Sequence, residues 1–122
     1  MLESNKTILK KANQAVAEGD YEEFLRYCTH DTIWTLIGDR VLNGKEEVRN
    51  WMLDSYKQPP VNNVENLIGE NDYLTVIGHI TALNQDGITE RFSYCDVWRF
   101  REGKMAELRA FIIRSDVHGD EL

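Results

Sequence analysis

Between Phe92 and Arg114 the chain reads FSYCDVWRFREGKMAELRAFIIR, two alternating stretches joined by a short turn. Alternation at period two marks a strand, because successive side chains point to opposite faces. Gly103 stands where a three-residue hairpin loop needs a left-handed residue, so the segment folds as a β-hairpin. On its first strand Phe92, Tyr94, Asp96, Trp98 and Phe100 share one face, and Ser93, Cys95, Val97, Arg99 and Arg101 share the other. With Arg101-Glu102-Gly103 as the loop, Phe100 pairs with Lys104, Asp96 lies opposite Leu108 and Tyr94 opposite Ala110. Asp96 is then the one acid among four aromatics, with apolar neighbours across the strand. A carboxylate in that position must find a partner, ionise reluctantly or do chemistry.

The chain around this hairpin is long enough for a real core. Its 122 residues, 42% of them hydrophobic, form one domain spanning 1–122, with no internal repeat or low-complexity segment to divide it. The 21 acids against 14 bases, net −7, oppose binding to nucleic acid or to an anionic membrane, both of which require a basic face. Cys28 and Cys95 fall inside apparent secondary structure without framework spacing, as small core residues of a reduced compartment do. The N-terminus MLESNKTILKK is charged and amphipathic, unlike a signal peptide, and no apolar run reaches 18 residues. The expected location is the cytoplasm. Three scattered histidines lack ligand spacing, and no glycine-rich phosphate loop or Gly-x-Ser-x-Gly elbow is present, so neither a metal nor a cofactor is expected.

Taken in order, Ser4 or Asn5 caps a first helix in which Ile8, Leu9, Ala12, Ala15 and Val16 recur at helical spacing up to Gly19. Asp20 caps a second, Tyr21 to about Cys28. His30-Asp31 reads as a loop and helix-end pair before a strand over Thr32–Ile37 that puts Trp34 and Leu36 on one face. Arg40-Val41-Leu42 leads to Asn43-Gly44 and a third helix from about Lys45 to Tyr56, with Val48, Trp51, Met52 and Ser55 inward, stopped by Gln58-Pro59-Pro60. Strands over Val61–Ile68, Tyr73–Leu83 and Ile88–Arg101 follow. The plan is α+β: three helices packed into a curved antiparallel sheet. One parity stays open. If Asp86-Gly87 is a two-residue turn, Ile77 faces Asp96, His79 faces Tyr94, and His79 shares the acid's face. If Gln85-Asp86-Gly87 make a three-residue loop, His79 moves to the opposite side.

The phrase Asp96-Val97-Trp98-Arg99-Phe100 with Glu102-Gly103-Lys104 and an alternating strand, after Gly19-Asp20 and Asn43-Gly44-Lys45-Glu46, resembles the nuclear transport factor 2-like superfamily. Within it the chain is most similar to SnoaL-like and ketosteroid isomerase-like proteins. The resemblance implies a cone-shaped, cystatin-like barrel enclosing an apolar pocket, and a homodimer formed through the outer face of the sheet. It aligns Asp96 with the protonated acid that donates a hydrogen bond to the isomerase substrate's oxyanion. It also aligns the partner tyrosine with Ala12, the proton-shuttling aspartate with Leu36, and the two supporting tyrosines with Cys28 and Met52. Against SnoaL-type cyclases the catalytic acid falls at Ala110 and the pocket histidine at Asp96; limonene epoxide hydrolases also place an acid at Ala110. Each of these known mechanisms lacks a member here. The isomerase alignment favours the register that turns His79 inward.

The expected site therefore joins Asp96, as acid or hydrogen-bond donor, to His79 as base, roughly 5 to 8 Å apart at Cβ. Trp34, Leu36, Met52, Tyr94 and Trp98 wall it, with Leu108, Ala110 and Ile112 from the last strand. Two functions fit. One is an isomerase, dehydratase or cyclase moving protons on a hydrophobic cyclic or aromatic substrate; the other is a non-catalytic binding or dimerisation module for a small hydrophobic molecule. The same parity puts Leu74, Val76, Ile80, Val97, Phe111 and Ile113 on the outer face for dimerisation.

Overall fold

The computed structural model describes residues 4–115; His118 and the terminal Gly119-Asp120-Glu121-Leu122, expected to be a solvated and inert tail, lie outside them. Three helices and six strands follow in the order α1 (Asn5–Ala17), α2 (Tyr21–Arg26), β1 (Cys28–Leu36), β2 (Arg40–Asn43), α3 (Gly44–Ser55), β3 (Val61–Glu70), β4 (Tyr73–Leu83), β5 (Thr89–Arg101) and β6 (Lys104–Arg114). Local chemistry starts each helix. Ser4 Oγ accepts from the Thr7 amide, Asp20 Oδ1 accepts from the Glu23 amide, and Glu47 Oε1 reaches back to the Asn43 amide at 2.8 Å. Each helix then lays one apolar stripe on the sheet: Ile8, Leu9, Ala12 and Ala15 from α1, Phe24 and Leu25 from α2, Val48 and Met52 from α3.

The strands form one sheet in the order β2-β1-β6-β5-β4-β3, curved around the helices. It is mixed rather than wholly antiparallel, because β1 runs parallel to β6, with Trp34 beside Leu108 and Leu36 beside Ala110. Nothing in the residues near β1 signals a partner so far along the chain. His30 and Asp31, expected in a loop, lie inside β1, where both are exposed and Asp31 accepts from Arg101 at 2.5 Å.

The opening hairpin differs from its expected register in two compensating ways. Arg101 pairs with Lys104 around a two-residue turn whose Glu102 and Gly103 both have positive φ, 52° and 77°, and a bulge at Ala106 adds a second slip. Buried Thr32 Oγ1, within 3.2 Å of both the Met105 and Ala106 carbonyls, braces that bulge from β1. Two one-residue slips move every partner by two and leave the faces unchanged. Asp96 pairs with Ala110 instead of Leu108, Tyr94 with Ile112 and Trp98 with Leu108.

The β4–β5 turn takes the three-residue form. Asn84 Oδ1 accepts from the Asp86 and Ile88 amides at 2.8 and 3.0 Å, and Gly87 supplies φ +77°. Val76 thereby pairs with Asp96, and His79 pairs with Ser93 on the convex face. The expected inward placement of His79 and Ile77 is corrected accordingly. So is the expected outer face: Leu74 and Val76 are buried on the concave side and Ile80 packs against the core, while Val97, Phe111 and Ile113 do lie on the convex side.

Candidate functional site

Alternation along β1, β5 and β6 sends Trp34, Leu36, Tyr94, Asp96, Trp98, Leu108, Ala110 and Ile112 to the concave face, and α3 lowers Met52 onto them. All nine wall one half-open cavity of about 520 Å³. Its ceiling is an aromatic chain. Trp34 makes edge contacts with Phe24, Trp51 and Trp98 at centroid separations of 5.8, 6.1 and 5.6 Å, and Trp51 continues to Tyr56 at 5.6 Å. Lys10 and Asn13 of α1 and Pro60 and Val61 also line the cavity.

Asp96 is the acid in this wall. Burial alone pushes its carboxyl up to about 7, because an ionised carboxylate loses hydration there without gaining a countercharge. The residue keeps some accessible surface, supplied by the cavity, yet Oδ1 is buried without a hydrogen-bond partner. Trp34 Nε1, also buried, has none either. Unpartnered buried polar atoms are uncommon in folded proteins, and these two belong to residues that line the same cavity.

The tyrosines respond to the same environment. Burial, then the Asp96 charge, push the Tyr94 phenol up to about 12, against the opposing effect of its 2.5 Å hydrogen bond to Asn62 Oδ1. Burial and then Asp96 also raise the Tyr56 phenol. Both therefore stay protonated at neutral pH.

His79 does not join this group. Its Nε2 lies 3.2 Å from Glu65 Oε1 and its Nδ1 3.3 Å from Ser93 Oγ, on the solvated side of the sheet, with about half of the side chain exposed. An exposed contact of this kind contributes at most about 1 kcal/mol. His79→Ala is expected to change stability by less than about 0.5 kcal/mol and ligand affinity not at all, as read by urea unfolding and by tryptophan fluorescence titration.

Sequence reasoning missed Asn62, Tyr56 and Ile80, which also line the cavity. Asn62 and Ile80 were missed with the β4 register, since they pair with each other across β3 and β4. Tyr56 follows Met52 by four residues, the spacing that keeps one helix face, and could have been found from that alone.

A family model described as a SnoaL-like domain matches residues 9–108. The chain belongs to the SnoaL-like domain family. Solved structures agree on the fold of this SnoaL-like protein. An NTF2-like protein of unknown function from Burkholderia pseudomallei K96243 superposes with a TM-score of 0.81 at 16% identity, covering 92% of each chain. TerC, co-crystallised with polyporic acid, gives 0.79 at 16% identity over 97% of this chain and 96% of its own. A cystatin-fold protein from Novosphingobium aromaticivorans gives 0.78 at 21% identity over 89% and 98%. No curated protein sequence matches the chain. At such identities the likeness is one of fold, on which activities vary widely.

Proposed function

We propose that this SnoaL-like protein binds a hydrophobic cyclic molecule in the concave cavity and moves a proton on it through Asp96. The observation that carries the reading is a lone carboxyl, raised to about 7 by burial, in an aromatic-walled cavity with one oxygen unpartnered. Near neutrality such a group is divided between its two forms, so one residue can take a proton and return it. On a cyclic ketone, Asp96 as carboxylate would remove an α-proton. The C–H electron pair would become the C=C bond of an enolate, the carbonyl oxygen would take the negative charge, and the carboxylic acid would then give the proton back to carbon. Isomerisation fits this single-group chemistry better than a reaction needing a separate base, since His79 faces away.

That same absence of His79 from the cavity supports a second reading, a non-catalytic module binding the same class of molecule. Incubation with 2-tetralone in D₂O separates the two. Proton transfer predicts α-deuterium incorporation that rises through pH 7 as Asp96 ionises and disappears in Asp96→Asn. Binding detected by fluorescence, with incorporation no faster than in buffer, would leave the binding module alone.

The partner for the convex face is a second copy. Phe111, Cys95 and Ile77 form one row across three strands, and Ile113 nearby is 72% exposed. A contiguous apolar row, exposed at Phe111 and Ile113 and half-buried at Ile77 and Cys95, marks an association surface. The protein is expected to sediment as a dimer at micromolar concentration, and Phe111→Asp to give monomers with the cavity intact. A parent that sediments as a monomer would rule the assembly out. The described residues contain no helix long and apolar enough to cross a membrane, and the free thiols of Cys28 and Cys95 suit the reduced cytoplasm.

A further inference from the structure

Among the described residues Asp96 Oδ1 has no hydrogen-bond partner, although the phenol of Tyr94 stands two residues away on the same wall of the cavity. The two groups are close enough for the Asp96 charge to act on the phenol. Tyr94 donates elsewhere. Its hydroxyl crosses β4 at Gly78, its cross-strand partner, and reaches Asn62 Oδ1 on β3 at 2.5 Å. Gly78 leaves that path open, since a Cβ there would stand 3.0 Å from the Tyr94 hydroxyl. A phenol has one O–H, so a bond donated to Asn62 and a bond donated to Asp96 exclude each other.

The choice matters to the carboxyl, because a donor on a carboxylate favours the ionised form and burial without one disfavours it. The other titratable side chains lining the cavity are Lys10 from α1, Tyr56 from α3 and Tyr94 itself; among the described residues α2 and the strands β1, β3, β4 and β6 add none. Tyr56 also feels the Asp96 charge, and its ring is held by Trp51 and Tyr21 at 5.6 and 5.9 Å. Resting on the reading of Asp96 as the proton-moving group, we infer that Asn62 is its positioning residue. By holding the Tyr94 hydroxyl over Gly78, Asn62 withholds that donor from Asp96 and leaves the carboxyl free to take and return a proton.

Carbon-13 NMR of aspartate-labelled protein tests this by following the Asp96 carboxyl between pH 4 and 9 with no ligand present. The parent is expected to titrate at about 7. Asn62→Leu, which releases the phenol, should titrate at about 6 or lower. Tyr94→Phe should titrate with the parent in either background, because without the hydroxyl Asn62 has nothing to withhold. An Asn62→Leu protein that titrates with the parent would overturn the inference. So would a lowered value that persists when Tyr94→Phe is added, since water entering the cavity would then be its cause. Deuterium incorporation into 2-tetralone is read separately: its rise with pH should move down in Asn62→Leu together with the carboxyl. If the parent incorporates none while the titrations behave as expected, proton transfer falls and the hold of Asn62 on the carboxyl stands.

Discussion

Asp96→Asn unfolds at a higher urea concentration than the parent at pH 8, and this advantage shrinks as the pH falls toward 4. The sign follows from where the proton sits. The native carboxyl is raised from 3.8 to about 7 by burial. Between those values the native state holds a proton that the unfolded state has released. Parent stability therefore falls as pH rises from about 4 to about 7, and stays at the lower level above that. At 1.36 kcal/mol for each tenfold change in acidity, that rise bounds the loss at about 4 kcal/mol, and the residue's remaining exposure relieves part of it. The asparagine amide still needs hydrogen bonds, so a net gain of about 1 to 2 kcal/mol is expected at pH 8. Asp96→Leu should gain at least as much, because it removes the polar group altogether. A difference between parent and asparagine variant that stays flat from pH 4 to 8 would show that the carboxyl pays no burial penalty. A leucine variant less stable than the parent would make Asp96 a structural anchor. Both variants should lose proton transfer, so that stability and activity move in opposite directions.

Gly78→Ala gives the largest loss of stability, about 3 kcal/mol, at the upper end of what overpacking usually costs. A Cβ at Gly78 would stand 2.3 Å from the Asn63 carbonyl oxygen, 3.1 Å from Val64 Cα and 3.0 Å from the Tyr94 hydroxyl. Two of these obstacles are backbone in the neighbouring strand, so β3 must shift rather than a side chain turn away. The shift would also part Tyr94 from Asn62 and move Val61 and Val64, which line the cavity. Amide hydrogen exchange should accelerate across β3 and remain slow across β5 and β6, with ligand affinity falling about tenfold, or 1.4 kcal/mol. A variant as stable as the parent would mean that β3 passes Gly78 at a greater distance.

Element boundaries were legible where periodicity was long and caps were local. Tyr73–Leu83 is strand β4 end to end, and Ser4 and Asp20 cap the helices they were expected to cap. The faces of β5 and β6 came out right through cancellation: the turn is one residue shorter than expected, and the bulge at Ala106 restores the parity. The β4 register offered no such compensation. Two signals pointed the right way. Asn84 sits where its side chain can accept from the amides of a three-residue loop, and Leu74, Val76, Ile80 and Ala82 are uniformly apolar while Thr75, His79 and Thr81 on the opposite face are not. The Asp-Gly dipeptide and the isomerase alignment together favoured the two-residue turn over both, and that register puts His79 on the wrong side. The cavity walls survived that error because most of them come from β1, β5 and β6.

The parallel pairing of β1 with β6 bears on how the chain reaches its fold. Thr32 and Met105, which meet there, are 73 positions apart, and closing a loop of that length costs roughly 4 kcal/mol in chain entropy before any contact compensates. Such topology places folding in the slower range for a domain of this size. A chain leaving the ribosome presents Trp34 and Leu36 without their neighbour until Lys104–Arg114 has emerged. Chains released before that strand is made would carry an exposed aromatic wall and an unpaired strand edge, the combination that draws chaperones and seeds aggregates.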